Sequence, residues 1–176
     1  MKVIVINGMP RVGKDLFVSL CQKNKNYQVF NFSTVDFVKE IATKCGWSGE
    51  KTPESRKFLS DLKDLLSAAP WYDVPIHDIK KKIDIAKLTL EQCGLSDFNM
   101  VVFIHAREPE NIEKIKNKFN ASTLLIHRLE VEKEQSNHAD SNVFDYDYDY
   151  NIYNNGTVDE LMEISSSFLD LIFKEN

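Results

Sequence analysis

Short apolar runs alternate along this chain with longer stretches in which apolar residues recur at helical spacing. The first run, Val3-Ile4-Val5-Ile6 within a strand expected over 2–6, is all β-branched, the composition of a central strand buried on both faces. Further strands are expected over 27–32, 99–104, 122–127 and about 148–153. Between them the pattern predicts helices over about 13–25, 33–45, 52–68, 76–93, 109–119 and 157–173. Strand–helix alternation of this kind predicts a mostly parallel α/β sheet in a single domain over 1–176, with no internal repeat.

Local signals sharpen the boundaries. Ser33 and Asp36 read as a capping box, as do Thr157 and Glu160. Thr52 reads as an N-cap with Pro53 in the first helical position, and Gly46 and Gly94 suit the position just beyond a helix. Residues 70–75 read as a turn. Residues 130–145 are polar with little periodicity, the mark of a mobile excursion. The alternation of acid and aromatic over 145–150 has period two and predicts a strand with one wet face. The helical stretch 33–94 interrupts strand–helix alternation, and an insertion in an open α/β sheet lies at the carboxyl ends of the strands, where ligands bind.

Composition narrows the function classes. The 176 residues are 43% apolar and 28% charged, with a formal net charge of −5. A general nucleic-acid binder needs a basic surface, so no nucleic-acid partner is expected. No apolar run approaches a membrane span, and the N-terminal apolar run is too short for a signal peptide, so a cytoplasmic protein without a membrane partner is expected. Cys21, Cys45 and Cys93 have no metal-site or disulfide-framework spacing and fall in expected helices, so buried free thiols are anticipated. The oligomeric state is left open, a homodimer included.

The octet Gly8-Met9-Pro10-Arg11-Val12-Gly13-Lys14-Asp15 matches G-x-x-x-x-G-K directly after the first strand and before a helix, the context of a P-loop. Glycines at its ends permit the backbone angles and close approach that a Cβ hinders, so successive N–H groups can cradle phosphate oxygens. The helix N-terminus adds its dipole, and Lys14 supplies a mobile charge for the β- and γ-phosphates. Asp15 stands where Ser or Thr normally ligates Mg²⁺. A carboxylate is a hard oxygen ligand for that ion; it is equally an acid favoured in a first helical turn.

The Gly-Lys-Asp ending resembles that of bacteriophage deoxynucleoside monophosphate kinases and animal phosphomevalonate kinases, P-loop kinases related to the adenylate kinase group. Segments 33–39, 46–47, 51–63, 103–109 and 147–154 resemble the acceptor-binding helices, the end of the third strand and the last strand of such kinases. The resemblance implies a three-layer P-loop kinase fold with a five-stranded parallel sheet of order 2-3-1-4-5. It implies an acceptor-binding insertion over 33–94 and a short lid over 129–147. It also implies transfer of the γ-phosphoryl group of Mg·ATP to a nucleoside or deoxynucleoside monophosphate.

Phosphoryl transfer rests on positioning and charge neutralisation, and arginine forks suit a phosphate dianion. The chain has four arginines, Arg11, Arg56, Arg107 and Arg128, and each falls where a phosphate site would want one. Arg107 stands just beyond the third strand and Arg56 in the insertion, both as acceptor ligands. Arg128 ends the fourth strand at the lid's base and joins Lys14 and Arg107 as a catalytic candidate. Ser33, Asp36 and Lys39 are candidate acceptor contacts, although capping alone accounts for Ser33 and Asp36. No arginine follows Arg128, and Lys133 is the one lysine between it and Lys174, so the lid is poorly equipped to clamp a phosphoryl group. Lys80-Lys81-Lys82 reads as a solvated helix face, and His77, His105, His127 and His138 have no ligand spacing. Trp47, Trp71 and Tyr72 are read as packing residues ahead of base-stacking ones. Two rivals accompany the leading expectation. One is a kinase for another phosphorylated acceptor, such as phosphomevalonate or a modified nucleotide. The other is a nucleotide-binding module with little catalysis.

Overall fold

Strand β1, Lys2–Asn7, carries the β-branched run and occupies the centre of the sheet. The computed structural model describes residues 1–50, 52–68, 73–134 and 142–174, with the side chains of Ser67, Val74, Lys133 and Glu134 also outside that description. After β1 come α1 (Lys14–Lys23), β2 (Gln28–Ser33), α2 (Asp36–Lys44), α3 (Pro53–Ser67) and α4 (Val74–Gln92). They are followed by β3 (Met100–His105), α5 (Pro109–Phe119), β4 (Ser122–His127), α6 (Leu129–Glu134), β5 (Tyr150–Tyr153) and α7 (Val158–Lys174). All five strands are parallel, in the order β2-β3-β1-β4-β5.

The period-two pattern of the strands sorts side chains into two cores. Ile4, Ile6, Phe103 and Leu124 face one side and pack with Phe17 of α1 and Leu161, Phe168 and Leu169 of α7. Val3, Val5, Val102 and Ile104 face the other and pack with Ile79 and Ile83 of α4 and Ile112 and Ile115 of α5. Phe17, Ile4, Ile6, Ile104 and Ile112 are fully buried, and each such side chain contributes about 2 kcal/mol of transfer free energy. The result is the three-layer arrangement with a helical insertion, α2 to α4, between β2 and β3.

Several local expectations give way. Ser33 does not cap α2: it pairs with His105 in the β2–β3 ladder, and strand pairing outweighs the cap. Half of the expected box survives, with the Asp36 carboxylate accepting from the Ser33 N–H at 2.9 Å. Helix α4 begins at Val74 because Asp73 caps it, so Pro75 lies in its first turn; the rest of the expected turn, 70–72, with Trp71 and Tyr72, lies outside the described residues. Part of the expected excursion is helical, as α6, and His138 is outside the described residues. Over 145–149 the alternation of wet acids and inward tyrosines holds, but ladder pairing starts only at Tyr150. Of the three thiols, Cys21 is buried, whereas Cys45 and Cys93 are exposed because they cap helix ends rather than sit on an inward face. Among the described residues no helix is long and apolar enough to cross a membrane.

Candidate phosphate and acceptor site

The turn between β1 and α1 is held from three sides. Asn7, fully buried, accepts from the Gly8 N–H at 2.8 Å and donates to the Tyr148 hydroxyl at 2.7 Å and the Arg107 carbonyl at 3.1 Å. Asn154, just beyond β5, donates to the Val12 carbonyl at 2.8 Å. Gly8, Arg11 and Gly13 take positive φ angles of 145°, 69° and 98°. A Cβ on Gly8 would meet the Ile126 carbonyl oxygen at 2.5 Å, and one on Gly13 would overlap the Asn154 amide, so both positions need glycine. Met9 and Val12 are buried beneath the loop, which anchors it to the α1–α7 core. The Lys14 ammonium donates to the Gly8 and Met9 carbonyls at 2.6 and 2.8 Å, so it lies across the cradle with partners that phosphate oxygens can replace.

This loop opens on a cleft of about 700 Å³ between the carboxyl ends of β1, β2 and β3 and the insertion. Arg11, Lys14 and Asp15 line one side. Ser33, Asp36 and Lys39 come from the end of β2 and from α2, Lys63 from α3, and His105, Arg107 and Glu108 from the end of β3. Five cations thus face three carboxylates in a chain of net charge −5, a local positive field suited to phosphates. Lys63, with its side chain 14% exposed, pairs with Glu108 at 2.9 Å and links the insertion to the N-cap of α5, just beyond β3. Burial raises the Glu108 carboxyl, but the hydrogen bond and charge of Lys63, together with Asn111, outweigh it and leave the group below its ordinary value. Burial lowers the His105 imidazole, with the Asp15 charge opposing and Lys14 assisting.

The expected site residues divide. The P-loop octet, Ser33, Asp36, Lys39 and Arg107 come together around the cleft and its floor. Arg56 is exposed on α3 and does not line the cleft; the cation that α3 presents is Lys63, two turns on. Arg128 is also absent from the lining and approaches Glu130 at 3.7 Å. Trp47 does not line the cleft either. Asn7, Asn154 and Lys63 carry no motif in the sequence, because their roles rest on contacts across the fold. Asp15 is 96% exposed in the first turn of α1, beside Lys14, so its carboxylate presents hard oxygen donors to the cleft. Among the described residues no group of three His, Cys, Asp or Glu side chains is arranged to hold a metal by itself.

No protein-family model matches the chain, and no curated protein matches it by sequence. Solved structures do match its fold. Shikimate kinase from Aquifex aeolicus superposes with a TM-score of 0.50 at 16% identity over 99% of both chains. The Mycobacterium tuberculosis APS kinase, in complex with AMPPNP and APS, superposes with a TM-score of 0.52 at 12% identity over 97% of this chain and 96% of that one. With its five-stranded parallel sheet of order β2-β3-β1-β4-β5 and helices on both faces, the chain shares the fold of these kinases, the P-loop kinase fold.

Proposed function

We propose that the chain is a phosphotransferase that moves the γ-phosphoryl group of ATP to a nucleoside or deoxynucleoside monophosphate. The observation that carries this reading is the shared cleft: the phosphate loop and the polar residues of the insertion face the same 700 Å³ space. The likeness to a P-loop kinase solved with AMPPNP supports a nucleotide on the loop side. There the loop N–H groups and the α1 N-terminus take the phosphates, and Lys14 exchanges its two carbonyl partners for β- and γ-oxygens. A Mg²⁺ ion brought by the nucleotide would be held on the protein side by Asp15 and would neutralise charge on the transferring group. On the acceptor side, Arg107, Lys39 and Lys63 offer cations to a phosphate dianion, and Asp36 offers an acceptor to a sugar hydroxyl or base amine. Asn7 holds the Arg107 backbone in register with Gly8, so donor and acceptor cations share one rigid mount.

The test is a coupled assay with Mg·ATP against a panel of ribo- and deoxyribonucleoside monophosphates. Turnover with at least one is expected; none across the panel refutes the reading. Lys14→Ala should lower kcat/KM by about a hundredfold or more while circular dichroism stays unchanged. A second reading, a phosphorylated acceptor without a base, is favoured by one feature: Phe32 is the one phenyl ring among the described residues lining the cleft. Calorimetry separates the two, since only the first predicts tighter binding of nucleoside monophosphates than of inorganic phosphate.

A further inference from the structure

One buried polar atom beside the phosphate loop has no hydrogen-bond partner within the described residues. His105 ends β3, its carbonyl accepts from the Thr34 N–H at 3.2 Å and the Thr34 hydroxyl at 3.3 Å, and its ring lines the cleft. Its Nε2 is buried without a hydrogen bond. The Asp15 Oδ1 faces that nitrogen from the first turn of α1 at 3.8 Å, too far for a hydrogen bond. Two donors that each lie roughly 2.0–2.2 Å from one divalent ion are about 3–4 Å apart, so this separation suits an ion between them.

We propose that His105 Nε2 and Asp15 Oδ1 are the two protein ligands of the cation that enters with the nucleotide, and that the imidazole shifts metal preference from Mg²⁺ toward first-row transition ions. The proposal rests on the reading that the loop binds ATP. Mg²⁺ takes oxygen ligands almost exclusively, whereas imidazole suits transition metals. Two protein donors are too few to hold an ion alone, and phosphate oxygens complete the set. The protein without nucleotide should therefore bind no metal tightly, in keeping with the lack of any three-residue metal cluster among the described residues. The exposed Asp15 carboxylate is free to turn toward the ion, while the β3 backbone fixes His105.

The experiment uses the full chain with Mn²⁺ and a non-hydrolysable ATP analogue, read by pulsed EPR. A nitrogen coupling from a metal-bound imidazole is expected in the ternary complex and not without the analogue. Histidine labelled with ¹⁵N should change the pattern, and His105→Ala should abolish it. His105→Gln, which keeps the space filled, should do the same if the alanine variant fails to fold. Affinity for Mn²⁺ relative to Mg²⁺ should fall by about tenfold or more in either variant. Mn²⁺ held in the ternary complex without nitrogen coupling overturns this proposal and leaves ATP binding standing. Failure of the analogue to bind in calorimetry overturns both.

Discussion

Asn154 and Gly13 illustrate how far single residues depend on distant partners. The loop motif is legible because its glycines, lysine and flanking strand and helix are contiguous in sequence. The amide that braces it comes from 142 positions away and has no motif of its own. Asn154 is 5% exposed, and its Nδ2 satisfies the Val12 carbonyl inside the loop. Asn154→Ala should leave that carbonyl without its partner and cost about 2 kcal/mol in urea denaturation. It should also weaken binding of an ATP analogue, because Arg11 and Gly13 would lose the support of their positive-φ geometry. An unchanged affinity would show that the loop keeps its shape without the brace. Lys63 teaches the same lesson: α3 contributes its cleft cation two turns beyond Arg56, on the face that turns inward.

Elements whose limits are set by their own residues were legible; those set by neighbours were not. Thr52 accepts from the Ser55 N–H at 3.2 Å, with Pro53 in the first turn of α3, as local chemistry dictates. The Thr157 and Glu160 box also forms, with Thr157 Oγ1 accepting from the Glu160 N–H at 3.2 Å and Glu160 accepting from the Thr157 N–H at 2.7 Å. Thr157→Ala should destabilise the protein by about 1 kcal/mol and lower Tm, since α7 supplies one layer of the core. Calorimetry showing no shift would mean that packing alone fixes the start of α7. Ser33 fails as a cap because its partner strand claims it. The start of β5 is similarly set from outside: the Asp149 carboxylate accepts from the Thr123 N–H at 2.8 Å and hydroxyl at 2.9 Å, in place of ladder pairing.

Across the whole molecule, the Lys63–Glu108 pair ties α3 of the insertion to the start of α5, just beyond β3. Glu108 titrates below its ordinary value in the fold, so its ionised form is favoured there. Its contribution to stability is therefore complete above the unfolded carboxyl value of 4.5 and is lost as pH falls through the depressed folded one. Because the Glu108 side chain is 51% exposed, the contribution is modest, under about 1 kcal/mol. Glu108→Gln should flatten that part of the acid limb in denaturation measured against pH, whereas an unaltered limb would place the acid sensitivity elsewhere. By itself the sequence determined most of the elements, the parallel α/β class and the glycine-lysine turn between β1 and α1, because periodicity, caps and a contiguous motif act within a few residues. Its resemblance to P-loop kinases supplied the strand order. Only the tertiary structure decided which charges share the cleft. It turned Lys63 inward and left Arg56 outside, placed Arg128 beside Glu130, and set His105 opposite Asp15. Those outcomes depend on how α2 to α4 pack over the strand ends and on the parallel register that places β3 beside β1, long-range contacts that no local pattern encodes.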